Sequence, residues 1–136
     1  MKISAKVTYA CLALIDIAQS DVERLPRRVR EISRAQGIPR KYLPKILLQL
    51  KLAGLVQSSR GSGGGYQLAL TPATISLAQV IDAIDGPEKL VLRSNSAAGV
   101  NLSEALLQIQ AANRAMLGTV TIAQLARRVG PHDWVI

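Results

Sequence analysis

Four glycines fall within the five residues 61–65, and an alternating run follows at once, with Tyr66, Leu68 and Leu70 set against Gln67 and Ala69. Alternation of this kind predicts a strand, and Leu55 to Ser59 on the other side of the glycines predicts another. A glycine loop between two strands is the tip of a hairpin. The phosphate-cradling alternatives fail on their own requirements. A Walker loop needs Lys and Ser/Thr after its last glycine, where this chain has Tyr66 and Gln67. A dinucleotide fingerprint needs a third glycine where Tyr66 stands, and a helix where the strand pattern runs.

The segments before the hairpin are helical. Val7, Ala10, Cys11, Leu14, Ile17 and Ala18 recur at helical spacing behind a capping Ser4. Pro26 suits the start of a second helix, which carries Val29, Ile32 and Ala35 inward and closes at Gly37. A third begins near Pro39, with Leu43, Ile46, Leu47 and Leu50 on one side, Lys41, Lys45 and Gln49 on the other, and Gly54 at its end. Ile32, Ile38, Leu43 and Ile46 fall where the two short helices must pack, which makes a helix-turn-helix with Gly37 in the turn. Pro44 removes a backbone hydrogen bond from the second turn of a helix starting at Arg40, so either that first turn is irregular or the helix begins later. Leu48 and Leu52 also point partly outward.

Beyond the hairpin, Ser76 and Gln79 form a capping box ahead of Leu77, Val80, Ile81 and Ile84, and Asp85-Gly86-Pro87 stops that helix. Residues 88–100 show no period and read as a loop. Asn101 and Glu104 resemble the cap of a further helix, along which Leu102, Leu106, Ile109, Asn113 and Met116 form a heptad-like seam. Such a stripe suits either the chain's own domain or a second chain; Leu107 and Leu117 widen it and favour the second chain. Thr121 and Gln124 cap a last short helix, and the tail from Pro131 carries no signal.

Charge narrows the function. Residues 1–70 hold twelve of the seventeen Lys and Arg but only four of the nine acids, so the whole +8 excess lies in the half that bears the glycine loop. That asymmetry fits a polyanion-binding module joined to a neutral one. A helix presenting Lys41 and Lys45 can enter a major groove, and a hairpin tip with Arg60 can lie along the backbone or in the minor groove beside it. Single-stranded RNA is disfavoured, because stacking platforms need aromatics and only Tyr42 and Tyr66 stand near the basic residues. Catalysis finds no nucleophile and base pair: His132 lies in the tail beside Asp133, and Cys11 sits on a buried helix face as a small core residue. Asp82 and Asp85 read as solvated acids at a helix stop. With one cysteine, no disulfide and no four-thiolate metal site can form within the chain. No secretory signal or membrane span is apparent, and the expected location is cytoplasmic.

These segments resemble the Rrf2 family of winged-helix transcription regulators, the IscR, NsrR and CymR type. The matching stretches are KISAKVTYA at the start, IPRKYL at 38–43, LAGLVQSSRGSGGGYQLA at 52–69, ISLAQVIDAIDGP at 75–87 and TIAQL at 121–125. The resemblance implies a mainly α fold with a small β-hairpin, in which a winged helix-turn-helix domain (1–87) and the 88–100 loop precede a dimerisation helix and a short helix (101–136). It implies a homodimer reading a partly palindromic double-stranded promoter site, with Arg40, Lys41, Tyr42 and Lys45 on the recognition helix. Arg60, Ser62, Gly63, Gly64 and Gly65 would form the wing, Lys6 and Arg28 would meet phosphate, and Leu102, Leu106, Ile109, Asn113 and Met116 would pair the subunits. Many members hold an iron-sulfur cluster through three cysteines in the loop before the dimer helix. Residues 88–104 have none, so no cofactor is expected. Pro44 stands where cluster-binding members often carry a base-selecting Glu, so the DNA preference is not expected to follow theirs. The expected activity is transcriptional repression rather than catalysis. The rival is a protein-interaction module on the same scaffold, which Leu48 and Leu52 favour.

Overall fold

Ser4 Oγ accepts the amide of Val7 at 3.2 Å and starts α1 (Ala5–Asp21), around which the rest of the chain is assembled. Ala10, Ala13, Leu14 and Ile17 are essentially inaccessible, and the two alanines let neighbouring elements approach the helix closely. The structure, a computed structural model, describes residues 2–21, 25–87, 89 and 93–127. His132, Asp133 and the tail lie outside them, as does much of residues 88–92.

The second helix, α2 (Val29–Gln36), begins later than the Pro26 start expected. The backbone of Arg27 is otherwise engaged: its N–H donates to the Tyr66 carbonyl at 2.9 Å and its carbonyl accepts from the Tyr66 N–H at 2.7 Å. Gly37, at φ +67°, closes α2 with its amide on the Ser33 carbonyl. A 3-10 turn over Arg40–Tyr42 then leads into α3 (Leu43–Leu52), so Pro44 lies in the first turn of α3, where a missing N–H costs nothing. The helix thus begins later, one of the two possibilities left open by Pro44. Ile32, Ile38, Leu43 and Ile46 are all buried between the two helices, as expected. Gln49 is a correction. Its Nε2 donates to the Ile84 carbonyl at 3.2 Å, so it braces α3 to the next helix instead of facing outward.

Strands β1 (Val56–Ser59) and β2 (Gly65–Leu68) pair antiparallel, with Val56 opposite Leu68 and Ser59 opposite Gly65. Both are shorter than expected, since Leu55 precedes β1 and Ala69 and Leu70 form a bend after β2. The capping boxes read from sequence are present at α4 (Leu77–Ile84), where the Ser76 N–H reaches Gln79 Oε1 at 2.7 Å, and at α6 (Ile122–Ala126), where the Thr121 N–H reaches Gln124 Oε1 at 3.1 Å. Between them, α5 (Ala97–Thr119) starts ahead of the Asn101–Glu104 cap expected, so residues 97–100 are helix and not loop. Ser96 caps it, accepting the Gly99 amide at 3.0 Å. The chain then returns to its start. Ile122 is fully buried in the α1 core, and its amide donates to the Ile75 carbonyl at 2.8 Å. The result is a mostly helical fold with one small antiparallel hairpin and a long helix near its C-terminal end.

Candidate nucleic-acid interface

The buried side chains of α3 define its opposite face. With Leu43, Ile46, Leu47 and Leu50 inside, the 100° step per residue turns Lys45, Leu48 and Leu52 outward, and these three are exposed, as is Lys41 in the 3-10 turn before the helix. Arg40 and Tyr42 are exposed beside them. Tyr42 stacks on Tyr9 of α1, centroids 6.0 Å apart and planes 15° from parallel, and Lys41 Nζ lies 5.1 Å from the Tyr42 ring centre. Stacking and cation–π contact both narrow the freedom of this turn before any ligand arrives. Lys6 precedes Tyr9 by one turn of the same helix and is exposed.

The hairpin tip stands beside this helix because it is braced there. Lys51 Nζ donates to Ser58 Oγ at 2.8 Å, tying α3 to β1, and the Arg28 guanidinium donates to the Ser62 carbonyl at the tip. Arg28 therefore supports the wing as well as adding charge to it. The glycines divide by what a side chain would meet. A Cβ on Gly64 would lie 2.4 Å from the Ser59 carbonyl oxygen, and one on Gly65, at φ +143°, 2.7 Å from the Arg27 carbonyl oxygen. Gly63 meets nothing within 4 Å. Arg60 and Ser62 are exposed at the turn.

Charge completes the surface: no Asp or Glu stands between Glu31 and Asp82, a span that includes all of α3 and both strands along with Arg34, Arg40, Lys41, Lys45, Lys51 and Arg60. The gap is narrower than the charge asymmetry between the two halves of the chain and lies across their boundary. Spacing and charge alone do not single out Tyr9 and Lys51. Tyr9 adjoins an apolar stripe in the sequence and gives no sign of its stacking partner.

On α5 the expected seam is divided. Leu106 and Asn113 are half-buried on the side toward α4, whereas Leu102, Ile109 and Met116 are 53%, 57% and 65% exposed. Arg114 grips Asp82 of α4 through both carboxylate oxygens, Nη1 to Oδ1 at 2.6 Å, and holds that carboxyl below its ordinary range. Leu107 and Leu117 line a groove of about 540 Å³ with Ile3, Ile81 and Pro87.

The metal-ligating inventory is small. Cys11 is half-buried on α1, and burial pushes its thiol up to about 11. Among the described residues no three His, Cys, Asp or Glu side chains come together in a metal-binding group. A thiol with so high a pKa is almost wholly protonated at pH 8, so iodoacetamide should alkylate the native protein about a hundredfold more slowly than a model thiol, with normal reactivity returning in denaturant. Native labelling at the model rate would place Cys11 in solvent.

The model of the family described as Rrf2, iron-dependent transcriptional regulator, matches residues 3–128. The chain belongs to the Rrf2 family. Among its curated relatives is the HTH-type transcriptional regulator IscR of Aliivibrio salmonicida, 44% identical over 85 residues, which are 62% of this chain and 50% of that protein. The chain thus spans about half the length of that Rrf2 relative. Among solved structures, CymR, the global cysteine regulator of B. subtilis, superposes with a TM-score of 0.82 at 29% identity, covering 96% of this chain and 99% of CymR. IscR of T. potens gives 0.72 at 28% identity, covering 99% and 97%. These Rrf2 proteins are transcriptional regulators and not enzymes. Among the described residues no helix is long and apolar enough to cross a membrane.

Proposed function

We propose that this chain is a cytoplasmic, homodimeric regulator that recognises a partly palindromic double-stranded promoter site and represses from it without an iron-sulfur cluster. The observation that carries this reading is the acid-free span from α3 through the wing, which lies on exposed cations beside a braced hairpin tip. Arg40, Lys41, Tyr42 and Lys45 enter the major groove. Arg60 with Ser62 and Gly63 follows the neighbouring minor groove, while the buried Gly64 and half-buried Gly65, expected at that surface, shape the turn behind it, and Lys6 and Arg28 meet phosphate. Leu102, Ile109 and Met116 supply the exposed apolar row of a subunit interface, with Leu106 and Asn113 at its inner edge. A dimer seated on a promoter excludes other proteins from it, hence repression. The donor set does not fit a cluster held by three cysteines, since the lone Cys11 is half-buried in α1 with a raised pKa.

Arg60→Ala tests the wing. A footprinting titration should show operator affinity falling by about 1–3 kcal/mol, the cost of one groove-reading arginine, with flanking protection reduced. Unchanged affinity would remove the wing from the mechanism.

A second reading rests on Leu48 and Leu52, which are 52% and 79% exposed on the outward face of α3. Exposed leucines there suit a protein partner, and binding that ignores salt, with no DNA sequence enriched, would favour it over the operator.

A further inference from the structure

Among the described residues Asp16 is the one charged side chain in the core, 4% exposed in the second half of α1. Its Oδ1 accepts from Arg27 Nε at 2.8 Å and its Oδ2 from Arg27 Nη2 at 3.2 Å, while Gln36 Nε2 donates to Oδ2 at 3.1 Å. Two of these bonds form the fork-to-carboxylate geometry that fixes orientation as well as distance. Arg27 is also the residue whose main chain pairs with Tyr66 of β2 on both sides, and a Cβ on Gly65 would strike that same main chain. Arg27 Nη1 reaches Glu31 in the first turn of α2, and the next residue, Arg28, holds the Ser62 carbonyl at the wing tip. Gln36 lies at the other end of α2. One buried carboxylate therefore ties α1 to both ends of the first helix of the helix-turn-helix and, through the Arg27 backbone, to the wing.

We infer that Asp16 is a positioning residue for DNA recognition, fixing the wing relative to the helix-turn-helix by clamping Arg27. This rests on the operator-binding reading above and adds to it a residue far from any DNA contact. Buried ion pairs add little net stability beside an apolar replacement, and their best attested role is to fix one arrangement among several. Here the arrangement fixed is wing against recognition helix.

The test compares the full chain with Asp16→Asn, Arg60→Ala and the double variant, reading operator affinity and amide exchange. Asp16→Asn should speed exchange at the Tyr66 amide, which is bonded to Arg27, and across the wing tip, while α3 and α5 amides keep their protection. Its loss of affinity should match that of Arg60→Ala within about twofold, and the double variant should bind no worse than either, because all three lose the same wing contact. Additive losses, or a folded Asp16→Asn protein with unchanged wing exchange, would overturn the inference. A uniform rise in exchange would also overturn it, since that is what a merely structural role gives. Arg27→Gln, which leaves Asp16 bonded to Gln36, carries the same comparison if Asp16→Asn does not fold. If the wild-type chain selects no DNA, the operator-binding reading fails, and wing exchange alone decides the role of Asp16.

Discussion

Raising salt from 50 to 200 mM should weaken operator binding by about a thousandfold. In the proposed complex each protomer would direct Lys6, Arg28, Arg40, Lys41, Lys45 and Arg60 at the duplex. If half of these cations in a dimer rest on phosphate, about six phosphates are neutralised, and releasing their counterions gives a slope near −0.9 per phosphate in log affinity against log salt. Nothing acidic between Glu31 and Asp82 opposes that attraction along the chain. Binding isotherms at four or five salt concentrations measure the slope directly. A flat dependence would remove the polyanion from the account and leave the exposed leucines of α3 as the binding feature.

Gly65→Ala should abolish the wing's contribution while leaving the helices intact. At φ +143° the residue occupies backbone space that costs a side chain about 1–3 kcal/mol, and the added carbon would lie 2.7 Å from the Arg27 carbonyl oxygen, which cannot swing aside because its strand partner is Tyr66. Gly64→Ala meets the Ser59 carbonyl oxygen at 2.4 Å. Both variants should lose operator affinity by about tenfold or more and keep the helical circular dichroism, since the helices supply most of the core and the strands add only Val56 and Leu68 to it. Gly63→Ala, with nothing within 4 Å, is the control and should be within about 0.5 kcal/mol of wild type in stability. Equal behaviour of all three would mean that the loop's glycines serve no geometric purpose.

The elements that declared themselves in the sequence are those set by local rules: the capping boxes at Ser76 and Thr121, the Gly37 turn, the glycine tip of the hairpin and the buried stripe of α3. What could not be read depends on contacts between distant segments. Arg27 is pulled out of a helix by Tyr66, which stands far along the chain, so the helix opens at Val29 and not at Pro26. Gln49 lies at the margin of the outward face, and only the Ile84 carbonyl decides that it turns inward. The α5 seam looks like one heptad stripe because Leu106 and Asn113 alternate with Leu102, Ile109 and Met116; α4 takes up one side of it. On the candidate surface, the exposure of Lys41, Lys45 and Arg60 followed from spacing and charge. Tyr9 and Asp16 did not, because each acts through a partner on another element.

Selection of genomic fragments by the purified full chain tests the central claim most directly. A homodimeric operator-binding regulator should enrich a partly palindromic duplex whose half-sites lie about one helical turn apart, as two symmetry-related recognition helices require. Fragments recovered with no common sequence would contradict it.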